Sequence, residues 1–174
     1  MPTLVSDPLP ADFEALLERR RSLGQDLLDE VWEGVYHVNP APHSRHVAIQ
    51  QQLAVLLAPL AQAAGLLPRV GIFNLGEEGD YRVPDGGLLR PVADAVYLST
   101  AAIVIEIVSP GDRTWEKLGF YAAHGVEELL IVDPQDRRVQ WLALQAGGEY
   151  QPIQRSALIA LGAGELAASI DWPD

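Results

Sequence analysis

The hydrophobic positions change period several times along the chain, and each change marks an element. Residues 43–65 carry Val47, Leu53, Leu56, Leu57 and Leu60 at helical spacing. That predicts a long helix, stopped at Gly65 and kinked at Pro59. Residues 10–24 predict a first helix, with Asp12 as its cap, Phe13, Leu16, Leu17 and Leu23 as its apolar stripe, and Gly24 at its end. Between the two, DEVWEGVYHVNP reads as a strand or tight hairpin with Glu33-Gly34 at its centre. Short strand-like runs follow at 67–75, 80–89, 93–100 and 102–108, then a short helix over 114–125. Residues 126–134, 137–145 and 149–154 read as three more strands, and the tail beyond 156 carries no clear period. This order predicts a mixed β-sheet flanked by helices, of α/β or α+β class.

One of these runs is unusual. In IVIEIV, Ile103, Ile105 and Ile107 point one way, and Val104, Glu106 and Val108 the other. A strand apolar on both faces belongs inside a covered sheet. An unpaired carboxylate buried there would cost several kcal/mol or stay protonated. Glu106 therefore calls for a cationic or metal partner, or for a place at the strand end facing a cleft.

At 174 residues, 48% hydrophobic and 21% charged, the chain reads as one globular domain, with 1–28 a helical extension and 29–145 the core. With no cysteine it has no disulfide, no thiolate zinc site and no thiol nucleophile. No apolar run reaches the roughly 18–20 residues of a membrane span. The N-terminus lacks a basic stretch followed by an apolar one, so a cytoplasmic location is expected.

The net charge of −12 argues against a protein that coats DNA, since phosphate contact needs local positive charge. It leaves room for an enzyme that gathers carboxylates around a metal and touches DNA locally or weakly. Of the twelve basic residues eleven are arginine; Lys117 is the single lysine. In so arginine-rich a chain, one lysine stands out for its compact, rotatable ammonium.

Each candidate has a plain structural reading beside the chemical one. Asp85 lies in VPDGG, a turn signature, and is also a carboxylate at a strand–turn junction. Lys117 is either a solvated helix residue or a cation reaching back over the strand end. Two carboxylates from neighbouring strands can share a hard divalent cation, and a nearby lysine can orient water or stabilise a phosphoryl transition state. His43 and His46, three apart at a helix start, could share a metal, although no third ligand is evident; His43 also suits a water or phosphate contact there. Arg113 and the Arg19–Arg21 triplet are phosphate-contact candidates. Tyr121 and Trp115 read as core. Ser109 lacks the nucleophile-elbow pattern and an evident His/Asp pair.

The order Asp85, Glu106, Lys117 resembles the PD-(D/E)xK nuclease superfamily. The stretches WEGVYHVNPAPHSRH, VPDGGL and VIEIVSPGDRTWEKLGFYAAHGVEELLIVDP together resemble one of its branches, the Uma-two restriction-endonuclease-like family. The resemblance implies a restriction-endonuclease-like fold with a central mixed sheet, a Mg²⁺ or Mn²⁺ site at Asp85 and Glu106, and endonuclease activity on DNA. It matches Pro84-Asp85 to the motif's first acid and Glu106 to its second. The motif's lysine position holds Val108, and the lysine is displaced to Lys117 on the following helix. Glu33 matches an auxiliary acid, and His43 and Arg113 are the expected substrate contacts. A homodimer with two sites is a further expectation. A non-catalytic binding or regulatory module on the same fold is the alternative, as is a nuclease for RNA or branched DNA.

Overall fold

The computed structural model describes residues 3–5, 11–91, 95–111 and 113–173. Asp112 and positions 92–94, the latter overlapping the strand expected at 93–100, lie outside the described residues.

Strand β1 (Thr3–Val5) precedes helix α1 (Ala11–Ser22). Strands β2 (Glu30–Trp32) and β3 (Val35–Val38) form the predicted hairpin. Its turn residues, Glu33 and Gly34, have φ of +49° and +80°, the sense that matches the twist of a two-residue hairpin. Helix α2 (Ser44–Ala63) follows, with Pro59 inside it. The run expected as one strand at 67–75 divides into β4 (Leu67–Arg69) and β5 (Asn74–Glu77). The run at 80–89 divides into β6 (Asp80–Arg82) and β7 (Gly86–Leu89). After β8 (Tyr97–Leu98) come β9 (Ile103–Ile107), a short 3-10 helix (Thr114–Lys117), and α3 (Leu118–Ala123). The chain continues through β10 (Glu128–Asp133), β11 (Arg138–Leu144), β12 (Tyr150–Ile153) and α4 (Ala163–Ser169).

The strands make two mixed six-stranded sheets, ordered β1-β3-β2-β6-β5-β8 and β12-β11-β10-β9-β7-β4. Both divided runs contribute one strand to each sheet. Pro84 supplies no ladder N–H, and the chain changes sheet at Pro84-Asp85. Strands β9 and β10 are parallel and need a crossover, which the 3-10 helix and α3 provide.

The alternation in β9 separates two core clusters. Ile103, Ile105 and Ile107 pack with Ile49, Leu53, Leu57 and Ala61 of α2 and with Leu166 near the C-terminus. Val104 packs on the opposite face with Leu75, Leu98 and Tyr121, drawn from the other sheet and from α3. The second sheet is therefore covered on both sides, and all five residues of β9 are buried.

Helix α1 departs from expectation. Asp12 lies inside the helix instead of capping it. Leu17 is buried, whereas Leu16 and Leu23 are exposed. Docking rests on Leu17 and on Arg20, whose Nε and Nη2 donate to the buried Asp29 at 3.0–3.2 Å. Asp29 also accepts from the Tyr36 hydroxyl and the Asn39 N–H, so one carboxylate ties α1 to the hairpin.

Candidate active site

The site forms where the chain changes sheet. Gly86 pairs with Ile105 in the antiparallel β7–β9 ladder, which sets Asp85 opposite Glu106. The Asp85 Oδ2 accepts the Ile107 N–H at 2.7 Å, and its Oδ1 lies 2.8 Å from His46 Nε2. Gln50, one turn beyond His46 on α2, donates to the Asp85 carbonyl at 2.7 Å. The first turns of α2 thus clamp both ends of Asp85. The His46 Nδ1 meets the Ser109 hydroxyl at 3.2 Å. Ser109 therefore has the His and Asp neighbours that its sequence context did not reveal.

Glu106 is 3% exposed, on the face of β9 that meets Tyr121. The crossover brings its partners. Lys117 Nζ lies 3.2 Å from Glu106 Oε1, and the Tyr121 hydroxyl donates to the same oxygen. Lys117 and Tyr121 are four residues apart and share a helix face. Lys117 also lies 3.0 Å from Glu30 Oε1. Glu30, 2% exposed, accepts the Val83 N–H at 2.7 Å on Oε1 and the Trp32 indole N–H at 2.8 Å on Oε2. Three buried or half-buried carboxylates, Glu30, Asp85 and Glu106, thus surround one ammonium.

That imbalance sets the protonation. Burial pushes the Glu106 carboxyl up, to about 7; Lys117 pulls it down, Asp85 raises it further, and the Tyr121 hydrogen bond lowers it. Burial works against the Lys117 charge, but Glu106, Glu30 and Asp85 outweigh it and hold the ammonium above its ordinary value. Burial and the Glu106 charge raise the Tyr121 hydroxyl, which keeps it a donor.

Glu30, Asp85, Glu106 and Lys117 line a cleft of about 390 Å³. Asp85, Glu106, Lys117, His43 and Arg113 all face it. Glu33 does not. It is exposed at the hairpin tip, where its N–H donates to Asp80. The acid beside Lys117 is Glu30, three residues earlier. The signal available in the sequence was strand alternation from Trp32, which points Glu30 and Trp32 to one side. His43 caps α2, its Nδ1 accepting the Arg45 N–H at 3.3 Å. His43 and His46 thus serve different partners and form no shared metal site. Tyr121 is core, as expected, and also a ligand of Glu106.

Among the described residues no group of three or more His, Asp or Glu side chains is placed to hold a metal ion. Asp85 and Glu106 form a two-carboxylate pair. Both hydrogen bonds to Glu106 fall on Oε1, leaving Oε2 without a donor among the described residues. Hard oxygen donors in that number suit Mg²⁺ or Mn²⁺, which keeps waters and takes substrate phosphate in its other positions. They do not suit a closed zinc site.

Asp85, just before β7, and Glu106, in β9, are thus neighbouring acids, and Lys117 contacts the second. The structure resembles a solved protein from Anabaena variabilis ATCC 29413, described as "a putative nuclease belonging to DUF820", with a TM-score of 0.62 and 18% identity, over 81% of this chain and 90% of that one. The Uma2 family model, described as "Putative restriction endonuclease", matches residues 10–167, and the chain belongs to that family. A search of curated proteins returned no match.

Proposed function

We propose that the protein is a divalent-metal-dependent endonuclease that hydrolyses phosphodiester bonds in DNA. The observation that carries this reading is the meeting of Asp85, Glu106 and Lys117, from three separate segments, in one cleft. Asp85 and Glu106 would hold the cation. A hard cation bound there lowers the pKa of a bound water and offsets charge on the phosphate.

The chain's own residues supply the rest. His46 and the Ile107 N–H fix the Asp85 carboxylate, one oxygen each. Tyr121 and Lys117 fix Glu106 through Oε1. Glu30 and Glu106 occupy two of the three ammonium donors of Lys117. The third donor is available to a phosphate oxygen or to the attacking water. Glu30 takes the auxiliary place expected of Glu33, as the residue that positions Lys117.

The test is cleavage of supercoiled plasmid and of single-stranded DNA with Mn²⁺, Mg²⁺ or EDTA, beside Glu106→Ala and Lys117→Ala. Nicking that needs the cation and disappears in both variants is the expected result. Wild-type protein that is folded yet inert with both metals would overturn the reading in favour of a non-catalytic module.

A further inference from the structure

Arg113 bears on which form of DNA the cleft takes. Its guanidinium lies over the Trp32 ring, 4.2 Å from the centroid, and Trp32 is further held by Arg82 at 4.5 Å and by His37 stacked at 4.5 Å. All three nitrogens of Arg113 already have acceptors. Nε donates to Glu116 Oε2 at 2.8 Å, Nη2 donates to the same oxygen, and Nη1 reaches His37 Nδ1 at 3.4 Å. Glu116 also offsets its charge. Three of its five N–H groups are thus taken and its charge is offset, which makes it a weaker phosphate clamp than a free guanidinium. Arg113 and Trp32 both line the cleft, so their cation–π stack forms part of its wall.

Two further observations point the same way. Arg113 and Lys117 are the only arginine and lysine lining the cleft among the described residues, and the charge of each is matched by a carboxylate. The cleft thus has no positive track for the two phosphate backbones of a duplex, in a chain of net charge −12. Glu106 and Glu30 line the cleft while only 3% and 2% exposed, so an unpaired strand reaches them more readily than an intact double helix does. Stacking on a flat cationic or aromatic face is how proteins gain affinity for unpaired bases, independent of sequence.

We infer that the cleft takes an unpaired DNA strand, with one base lying on the Arg113–Trp32 stack. The inference rests on the nuclease reading for its substrate, but it is tested by binding. A labelled oligonucleotide, single-stranded or annealed to its complement, is titrated with the full-length protein in EDTA and followed by anisotropy. Arg113→Ala and Arg113→Lys are measured alongside. The single strand is expected to bind at least about tenfold tighter than the duplex. Both variants are expected to lose on the order of tenfold for the single strand, because lysine keeps the charge and loses the plane. Equal or tighter duplex binding would overturn the inference. So would an Arg113→Lys protein with wild-type affinity, since charge alone would then suffice. Single-strand preference lost equally in both variants, with no cleavage under any metal, would sustain this inference and remove the nuclease reading.

Discussion

Glu30 and Glu33 stand three residues apart, and only one reaches Lys117. The positive φ of Glu33 and Gly34 turns the hairpin, so Glu33 projects outward while Glu30, within β2, faces the crossover. Replacing Glu30 with Gln keeps the shape and removes a charge that holds Lys117. Cleavage should fall by about tenfold or more, the usual scale for disturbing a positioned electrostatic group. Glu33→Asn, whose side chain tolerates positive φ, should cleave at the wild-type rate; loss there with none at Glu30→Gln would reverse the assignment. His37 carries a pH prediction. Burial, then Arg113, lowers its imidazole from 6.5 to about 4. The unfolded chain therefore binds a proton that the folded one refuses between those values. Stability from this group is full above 6.5 and is lost as pH falls towards 4. At about 1.4 kcal/mol per pH unit, the loss reaches about 3 kcal/mol at most. Urea melts of wild type and His37→Gln at pH 7.5 and 4.5 check it: the variant's loss should be the smaller. Glu106 and Lys117 stood out because a glutamate in an apolar strand and a lone lysine are local oddities, whereas Asp85, in an ordinary turn signature, became a candidate only in company with them. Glu30 was not legible, because its importance lies in a contact with a residue 87 positions away.

Elements place these side chains to within a hydrogen bond. Strand β7 does so through Gly86 and Gly87, against β9. A Cβ at Gly87 would stand 2.9 Å from the Ile103 carbonyl and 2.9 Å from the Phe73 ring. Backbone cannot yield as a flexible side chain can, so Gly87→Ala should destabilise by about 1–3 kcal/mol. It should also weaken Mn²⁺ binding, because Asp85 leads directly into β7. A thermal melt and a Mn²⁺ titration of Gly87→Ala check both; wild-type values would mean that β7 does not set the Asp85 position. The helical period of α2 and the apolar run of β9 were readable because α2 buries one face along its length and β9 buries both. The apolar stripe of α1 misled, since that helix is fastened by Leu17 and the Arg20–Asp29 pair. The divisions inside 67–75 and 80–89 were hidden for a related reason. The two halves of each run pair into different sheets, and local propensity is the same on both sides of the break.

For the whole molecule, the charge of −12 and the sparse cations of the cleft set the response to salt. Each phosphate neutralised by a protein cation contributes about −0.7 to the slope of log affinity against log salt for a single strand. With two cleft cations, the slope for single-stranded DNA should be no steeper than about −1.4. Anisotropy titrations across a salt series measure it. A much steeper slope would place phosphate contacts outside this cleft. No helix among the described residues is long and apolar enough to cross a membrane.

The sequence by itself determined the strands and helices with strong periods, the mixed α/β class and the family. It also singled out Glu106 and Lys117, because each breaks a local pattern, and Asp85 through the order it shares with them. Tertiary structure alone decided that the strands divide into two sheets, that Glu30 and not Glu33 meets Lys117, and that His46 holds Asp85. It also decided that Arg113 stacks on Trp32 and donates to Glu116. The physical reason is range. Periodicity and turn chemistry act over a few neighbouring residues, whereas the site is assembled by hydrogen bonds and ion pairs between segments up to 87 residues apart.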